Sequence, residues 1–212
     1  MISPPERTPE RDAAIVAMLP NVPFDGWTRR ALRTGARDTG IQADEADMLF
    51  PRGTADMVEA FSDLADRRME ETAASLAQTR LSARVRAVIA LRLEQNRPYK
   101  EAIRRALAVL ALPLNARTAA ACTTRTVDAI WRAAGDRSED LSWYTKRAIL
   151  AAVYSATVLY WLRDHSEDDA ATLDFLDRRL AGVARIGRLR GQADALLARL
   201  PRPPRLRMGD TG

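Results

Sequence analysis

DRSEDLSWYTKRAILAAVYSATVLYWLRD, residues 136–164, decides how the rest of the chain must be arranged. Its centre, residues 148–162, runs fifteen residues without a charge and is apolar nearly all the way round. A helix with no polar face must be buried on most sides. At about 1.5 Å per residue it also falls well short of the ~20 residues that span a bilayer. The stretch therefore reads as the central helix of a soluble helical domain. Its first turn differs: Trp143, Tyr144, Lys146 and Arg147 follow the acids Asp136, Glu139 and Asp140. Consecutive residues of a helix point about 100° apart, so Trp143 and Tyr144 cannot both face the core. Aromatic rings beside charges combine apolar area with a polar handle and are favoured at protein interfaces. The turn reads as a contact surface; a seal on the end of the domain is its plainer alternative.

Outward from that helix, the punctuation predicts about ten helices and no sheet. The first covers 11–19 and stops at Pro20 and Pro23. Gly26-Trp27-Thr28 opens the second, which Gly40 ends, and 44–50 forms the third. Thr54 is the expected N-cap of a long fourth helix with Met57, Val58, Phe61, Leu64, Ala65 and Met69 at helical spacing. Residues 81–96 form the fifth, with Val85, Val88, Ile89 and Leu93 inward. Pro98 takes a helix N1 position before the sixth, 99–112. Asn115 caps the seventh, which Gly135 closes. Ser138 or Asp140 caps the central helix, and Ser166 with Asp169 resembles a capping box for a ninth over 168–190. Gly191 is the expected break before a short last segment, 193–200.

Two hundred and twelve residues with a net charge of +5 hide an asymmetry. Between Arg178 and Arg207 nine arginines face one acid, Asp194, so this end carries +8 and the remainder −3. A basic end on a mildly acidic body points to an anionic surface as partner. A single cysteine, Cys122, cannot form a disulfide within the chain and fits a reducing compartment. MISPPERTPERD has no apolar core of a secretory signal and carries acids among its arginines, unlike a transit peptide; a cytoplasmic protein, matrix-side in a eukaryote, is expected.

A short helix, a second, a turn at Gly40, a third and then a helical body is the layout of TetR-type regulators. Several runs together carry a more specific likeness: VPFDGWTRRALRTGA (22–36), LFPRGTADMVEAF (49–61), RPYKEAIRRALAVLALPLNA (97–116), DAIWRAAGDRSEDLSWYTKRAILAAVYSATVLYWL (128–162) and FLDRRLAGV (175–183). Over roughly residues 20–190 the chain resembles the ubiquinone-biosynthesis lipid-binding accessory family, the ninth of the coenzyme Q proteins. The resemblance implies a TetR-like fold without catalysis or cofactor, and an apolar cavity for an isoprenoid lipid or quinone intermediate. It also implies peripheral attachment to an anionic membrane through the C-terminal segment and delivery to the di-iron demethoxyubiquinone hydroxylase. It puts the hydroxylase-binding patch on Asp140, Trp143, Tyr144 and Arg147. Cavity candidates are Leu91, Val109, Leu110, Val153, Tyr154 and Leu159, for which plain core is the alternative reading. Membrane-surface candidates are Arg188, Arg190, Leu196, Leu197, Arg199, Leu200, Arg202, Arg205 and Arg207. Relatives can carry a longer apolar helix there, whereas this chain has 192–200 followed by PRPPRLRM. Its arginines are suited to take over part of the attachment, at about 1 kcal/mol each near an anionic surface.

Other chemistries find little to work with. The one histidine, His165, rules out the paired Glu-x-x-His ligands of a di-iron bundle, and its acidic neighbours read as a solvated, helix-capping loop. Cys122 sits among alanines and threonines with no histidine nearby in sequence. Specific DNA binding is opposed by the candidate recognition helix QADEADMLF (42–50), where Asp44, Glu45 and Asp47 would repel the backbone. Arg29, Arg30, Arg33 and Arg37 on the preceding helix read as a solvated face. A TetR-like ligand-responsive regulator remains the alternative function, and a ligand-free scaffold a third. The expected organisation is an N-terminal segment with a short helix (1–20), a helical domain with a degenerate helix-turn-helix half (21–190) and a short amphipathic segment with a basic tail (191–212). A homodimer through the last two core helices is expected.

Overall fold

The computed structural model describes residues 3–77, 80–136 and 142–197, with the backbone alone at 142, 143 and 186–197. All regular structure among these residues is helical. The helices are α1 (Pro9–Met18), α2 (Val22–Asp25), α3 (Arg29–Asp38), α4 (Ala43–Leu49), α5 (Thr54–Ala73), α6 (Leu81–Asn96), α7 (Lys100–Leu110), α8 (Ala116–Ala133), α9 (Ser142–Trp161) and α10 (Ala170–Leu197). Among the described residues no single helix is long and apolar enough to cross a membrane. Thr8 and Thr28 cap α1 and α3, their hydroxyls accepting the N–H of Arg11 and Ala31 at 3.2 Å each.

Two clusters of buried side chains make the core. The first joins α1 to α4 with the start of α5 through Ile15, Met18, Trp27, Leu32, Phe50 and Met57. The second joins the end of α5 to α6, α8, α9 and α10 through Met69, Ile89, Ile130, Trp161 and Leu176. Helix α5 passes from one to the other, so it fixes the two halves relative to each other. It does so while burying four carboxylates, Asp56, Glu59, Asp63 and Asp66, on one stripe. Each meets at least one arginine. Arg11 of α1 and Arg52 bond Asp56 at 2.9 Å, and Arg52 and Arg125 of α8 bond Glu59 at 2.7 Å. Arg7 bonds Asp63 at 2.7 Å, and Arg92 of α6 lies 2.9 Å from Asp66.

Several local expectations need correction. The first helix does end before Pro20, at Met18, but the chain stays helical beyond it: Pro20 and Pro23 each sit in the first turn of a new short piece, where the missing N–H costs nothing. Gly53, at φ +71°, takes the N-cap position expected for Thr54. Asn115 stands at the head of α8, but its amide donates to the Val109 carbonyl rather than capping α8. Ser166 is an N-terminal anchor, yet its partner is Asp164 rather than Asp169: Asp164 accepts from Ser166 and from the Thr172 N–H. Gly191 is no break, since α10 continues to Leu197. The expected cap of the central helix, Ser138 or Asp140, lies outside the described residues.

The central helix is also less enclosed than its composition predicts. Leu150, Val153, Val158, Trp161 and Leu162 are buried, but Ile149, Leu159 and Tyr160 are 39%, 59% and 38% exposed, with Ala148, Ala152 and Ser155 exposed between them. Helices α6, α8 and α10 pack against this helix, with Tyr160 stacked on Phe175 of α10 at 4.6 Å between ring centroids, and Ala148, Ile149, Ala152, Ser155 and Leu159 are left as a largely apolar stripe at helical spacing.

Helices α1 and α3 cross at Gly35, where an added Cβ would lie 2.4 Å from the Ala17 carbonyl oxygen and 2.6 Å from the Met18 nitrogen. Both are backbone atoms and cannot turn aside. Gly35→Ala should therefore lower stability by about 1–3 kcal/mol. Gly182→Ala on α10, with nothing within 4 Å, should raise it by up to about 1 kcal/mol. Thermal denaturation of the two variants checks the pair.

Candidate functional site: an apolar cavity with a polar end

Five helices enclose a cavity of about 240 Å³. Helix α5 contributes Val58 and Phe61, α6 Arg92, Leu93 and Asn96, and α7 Ile103, Ala106, Leu107 and Leu110. The wall is completed by Cys122, Thr123 and Thr126 of α8 and by Tyr154, Ser155, Val158, Leu159 and Trp161 of α9. Most of it is hydrocarbon. Ser155 and Leu159 reach the surface, while Leu107, Leu110 and Thr123 are half-buried.

One part of the wall is polar and well built. The Arg92 Nε donates to the Tyr154 hydroxyl at 2.8 Å, and the Thr126 hydroxyl donates to Asp66 at 3.1 Å. The Arg92 and Asp66 charges lie 2.9 Å apart but out of hydrogen-bonding alignment. Burial pushes the Asp66 carboxyl up to about 6, against the pull of Arg92 and Thr126. Burial likewise pushes the Cys122 thiol up to about 11, which keeps it a protonated wall group rather than a nucleophile. Arginine carries five N–H donors and Tyr154 keeps its own O–H to give. The site can thus offer hydrogen bonds to an acceptor on a largely apolar guest. Among the described residues no three His, Cys, Asp or Glu side chains gather as a metal site.

Of the six cavity candidates, Leu110, Tyr154 and Leu159 line the space. Leu91 and Val109 are half-buried against the second and first core clusters, and Val153 is buried in the second. Missing from the expectation are Arg92, Asn96, Phe61 and Trp161. A signal for Arg92 exists: it follows Val85, Val88 and Ile89 by seven, four and three residues, the spacing of the inward face. On the contact turn, Tyr144 is 76% exposed, whereas Arg147 is largely buried and donates to Asp128 of α8 at 2.5 Å. Asp140 and the side chain of Trp143 lie outside the described residues. So do the side chains of Arg188, Arg190, Leu196 and Leu197 on α10, and Arg199, Leu200, Arg202, Arg205 and Arg207 altogether. In the helix-turn-helix half, Asp47 of α4 binds Arg29 at 3.0 Å and Arg33 at 3.1 Å. The acidic helix thereby neutralises two of the arginines that could have met phosphate.

A family model described as COQ9 matches residues 116–187. The chain is 33% identical over 182 residues to the human mitochondrial ubiquinone biosynthesis protein COQ9, covering 82% of this chain and 57% of that protein. It is 34% identical over 187 residues to the Drosophila melanogaster protein of that name, covering 85% and 57%. To the Schizosaccharomyces pombe protein it is 31% identical over 175 residues, covering 81% of this chain and 69% of the relative. The chain thus spans a little over half the length of the animal relatives. Among solved structures, a TetR transcriptional regulator from Nitrosomonas europaea superposes with a TM-score of 0.66 at 24% identity, covering 84% of this chain and 99% of its own. That likeness establishes a TetR-like fold.

The raised Asp66 carboxyl has a consequence for stability. The folded chain holds this proton up to about pH 6, the unfolded chain only to about 3.8. Between those values the folded state binds more protons, so the Asp66 contribution to stability falls as pH rises and is recovered on acidification. Asp66→Asn should remove that slope. Denaturant unfolding at pH 4 and pH 6 should show wild type gaining on the variant at the lower pH by about 2 kcal/mol.

Proposed function

The chain belongs to the COQ9 family of ubiquinone biosynthesis proteins, and from that premise we propose that it is a non-catalytic accessory protein that holds an isoprenoid quinone intermediate and presents it to the di-iron demethoxyubiquinone hydroxylase. The observation that carries this reading is the cavity itself: hydrocarbon walls ending on Arg92 and Tyr154. Apolar walls lower the cost of taking an isoprenoid tail out of a bilayer, by roughly 25 cal/mol per Å² transferred. The polar end gives a ring oxygen the donors it loses with water. At about 240 Å³ the space is smaller than the ~300–1,000 Å³ that encloses a drug-sized ligand. Only the head and first part of a long-tailed lipid fits, and the rest leaves by way of Ser155 and Leu159.

The same reading assigns the other surfaces. The basic C-terminal end holds the protein to an anionic membrane, on the inner face of a bacterial inner membrane or, as the mitochondrial relatives favour, on the matrix side. The N-terminal part of the exposed α9 stripe, Ala148, Ile149 and Ala152, is covered by a second copy in a homodimer, which leaves the exit at Ser155 and Leu159 open. The head of α9, with Tyr144 exposed, docks the hydroxylase. Regulation of transcription, the alternative suggested by the fold, is disfavoured by Asp47, which occupies Arg29 and Arg33 and adds negative charge where DNA would lie.

Tyr144→Ala should leave the melting temperature unchanged and reduce capture of the hydroxylase at least about tenfold, as expected for an exposed aromatic anchor. Wild-type capture by this variant would remove the patch from the account. Arg147→Ala should differ by also lowering stability, because it strands the buried Asp128 carboxylate, at a cost of about 3–5 kcal/mol if fully enclosed and less here because Arg147 is partly exposed. Thr123→Phe combined with Ser155→Phe, filling the cavity from its partly exposed wall, should abolish lipid co-purification while sparing hydroxylase capture. Retention of lipid by that double variant would place the ligand elsewhere.

A further inference from the structure

The turn joining α7 to α8 breaks the usual rule for loops. Residues 111–114 read Ala-Leu-Pro-Leu and all four are exposed, Leu112 by 50% and Leu114 by 83%. Loops between helices are ordinarily polar, because their backbone groups and side chains face water. This one is not a frayed end. Asn115, buried to 7% exposure, donates its amide to the Val109 carbonyl at 2.8 Å. The Ala111 N–H donates to Leu107 at 2.9 Å and the Asn115 N–H to Leu112 at 2.9 Å. The two leucines are therefore held out by a tied turn. The helical segments on either side, Leu81–Leu110 and Pro113–Ala133, meet at 96°, so the turn forms a corner of the molecule.

Charge around the corner is one-sided. Residues 102–127 contain Arg104, Arg105, Arg117 and Arg125 and no acid. Glu101 engages Arg104 and Arg105, and Glu59 engages Arg125. Arg117, three residues beyond Leu114, is exposed at the start of α8 and keeps the corner positive. The corner is also continuous with the cavity, since Leu107 and Leu110 in the last turn of α7 line its wall. Exposed leucines beside the exposed Arg117 match a surface that is anionic outside and apolar beneath, which is a phospholipid bilayer.

We propose that the α7–α8 corner is a membrane-contact surface that seats Leu112 and Leu114 in an anionic phospholipid bilayer. This attachment is separate from the basic C-terminal end, and it brings the cavity wall formed by α7 close to the lipid. Its existence does not depend on what the cavity holds.

Flotation of the full chain with vesicles of phosphatidylcholine and phosphatidylglycerol, against phosphatidylcholine alone, tests it. The double variant Leu112→Ser, Leu114→Ser should lose roughly tenfold or more in affinity for the anionic vesicles. Both positions are exposed, so its melting curve should match wild type. Met48→Ser, at a site on α4 that is 79% exposed, should float normally. An environment-sensitive dye on Leu114→Cys, in a Cys122→Ala background, should shift to the blue on vesicle binding and be quenched by spin-labelled lipid. Unchanged flotation of the double variant, or an unshifted dye on vesicles that bind the protein, would overturn the proposal. Lipid extracted from the same samples keeps the readings apart. Unchanged flotation with lipid still bound rejects the corner and leaves the cavity reading standing. Weakened flotation with no lipid in either protein does the reverse.

Discussion

Helix α5 can lie at the centre of this molecule only because arginines reach its carboxylates. Asp56, Glu59, Asp63 and Asp66 stand three, four and three residues apart, so one stripe of a buried helix carries four negative charges. Left unpaired, any one of them would cost several kcal/mol. Arg7 and Arg11 reach in from the N-terminal segment, Arg125 from α8 and Arg92 from α6. Each ion pair therefore also fixes where another element must sit. A row of this kind contributes little net stability over an apolar stripe, but it allows few registers of α5 against its neighbours.

The cavity follows from the same arrangement. Arg92 lies inside the hydrophobic region to meet Asp66, the last carboxylate of the row, and a guanidinium cannot pack as tightly against leucines as another leucine would. Beside it the wall is formed by small or half-exposed side chains, Ala106, Cys122, Thr123 and Ser155, which leave space unfilled. Tyr154 completes the polar end from α9. One residue thus serves the fold through Asp66 and offers donors to a guest through the groups that Asp66 and Tyr154 do not use. Moving Arg92 would leave the buried Asp66 carboxylate without its cation, which opposes displacement of the polar end.

Helix-forming segments were readable in the sequence wherever apolar spacing and a terminator coincided, as in 81–96, which matches α6 residue for residue. Boundaries set by tertiary contacts were not. Asp164 and Thr172 fix the start of α10 across eight residues, a pairing that Ser166 and Asp169 obscure in the sequence. Apolar composition marked α9 as central but could not say that half of its surface faces outward, because burial depends on neighbours and not on the helix. The cavity was legible only in part. Leu110, Tyr154 and Leu159 were found as apolar residues on the right helices, while Leu91, Val109 and Val153 have the same character and serve as packing. Which apolar residue borders a void depends on what faces it, and that information is not local. Arg92 was the stronger clue, a charge on an inward face that needs a partner.

The central claim is that the space beside Arg92 holds a quinone-headed isoprenoid. Native mass spectrometry of the full chain, after incubation with vesicles containing demethoxyubiquinone and with lipid extraction from the same sample, addresses it directly. One quinone lipid per chain, released when Tyr154→Phe and Arg92→Met remove the donors of the polar end, is the predicted result. Chains that emerge free of lipid, or that bind it equally well without those groups, would contradict the account.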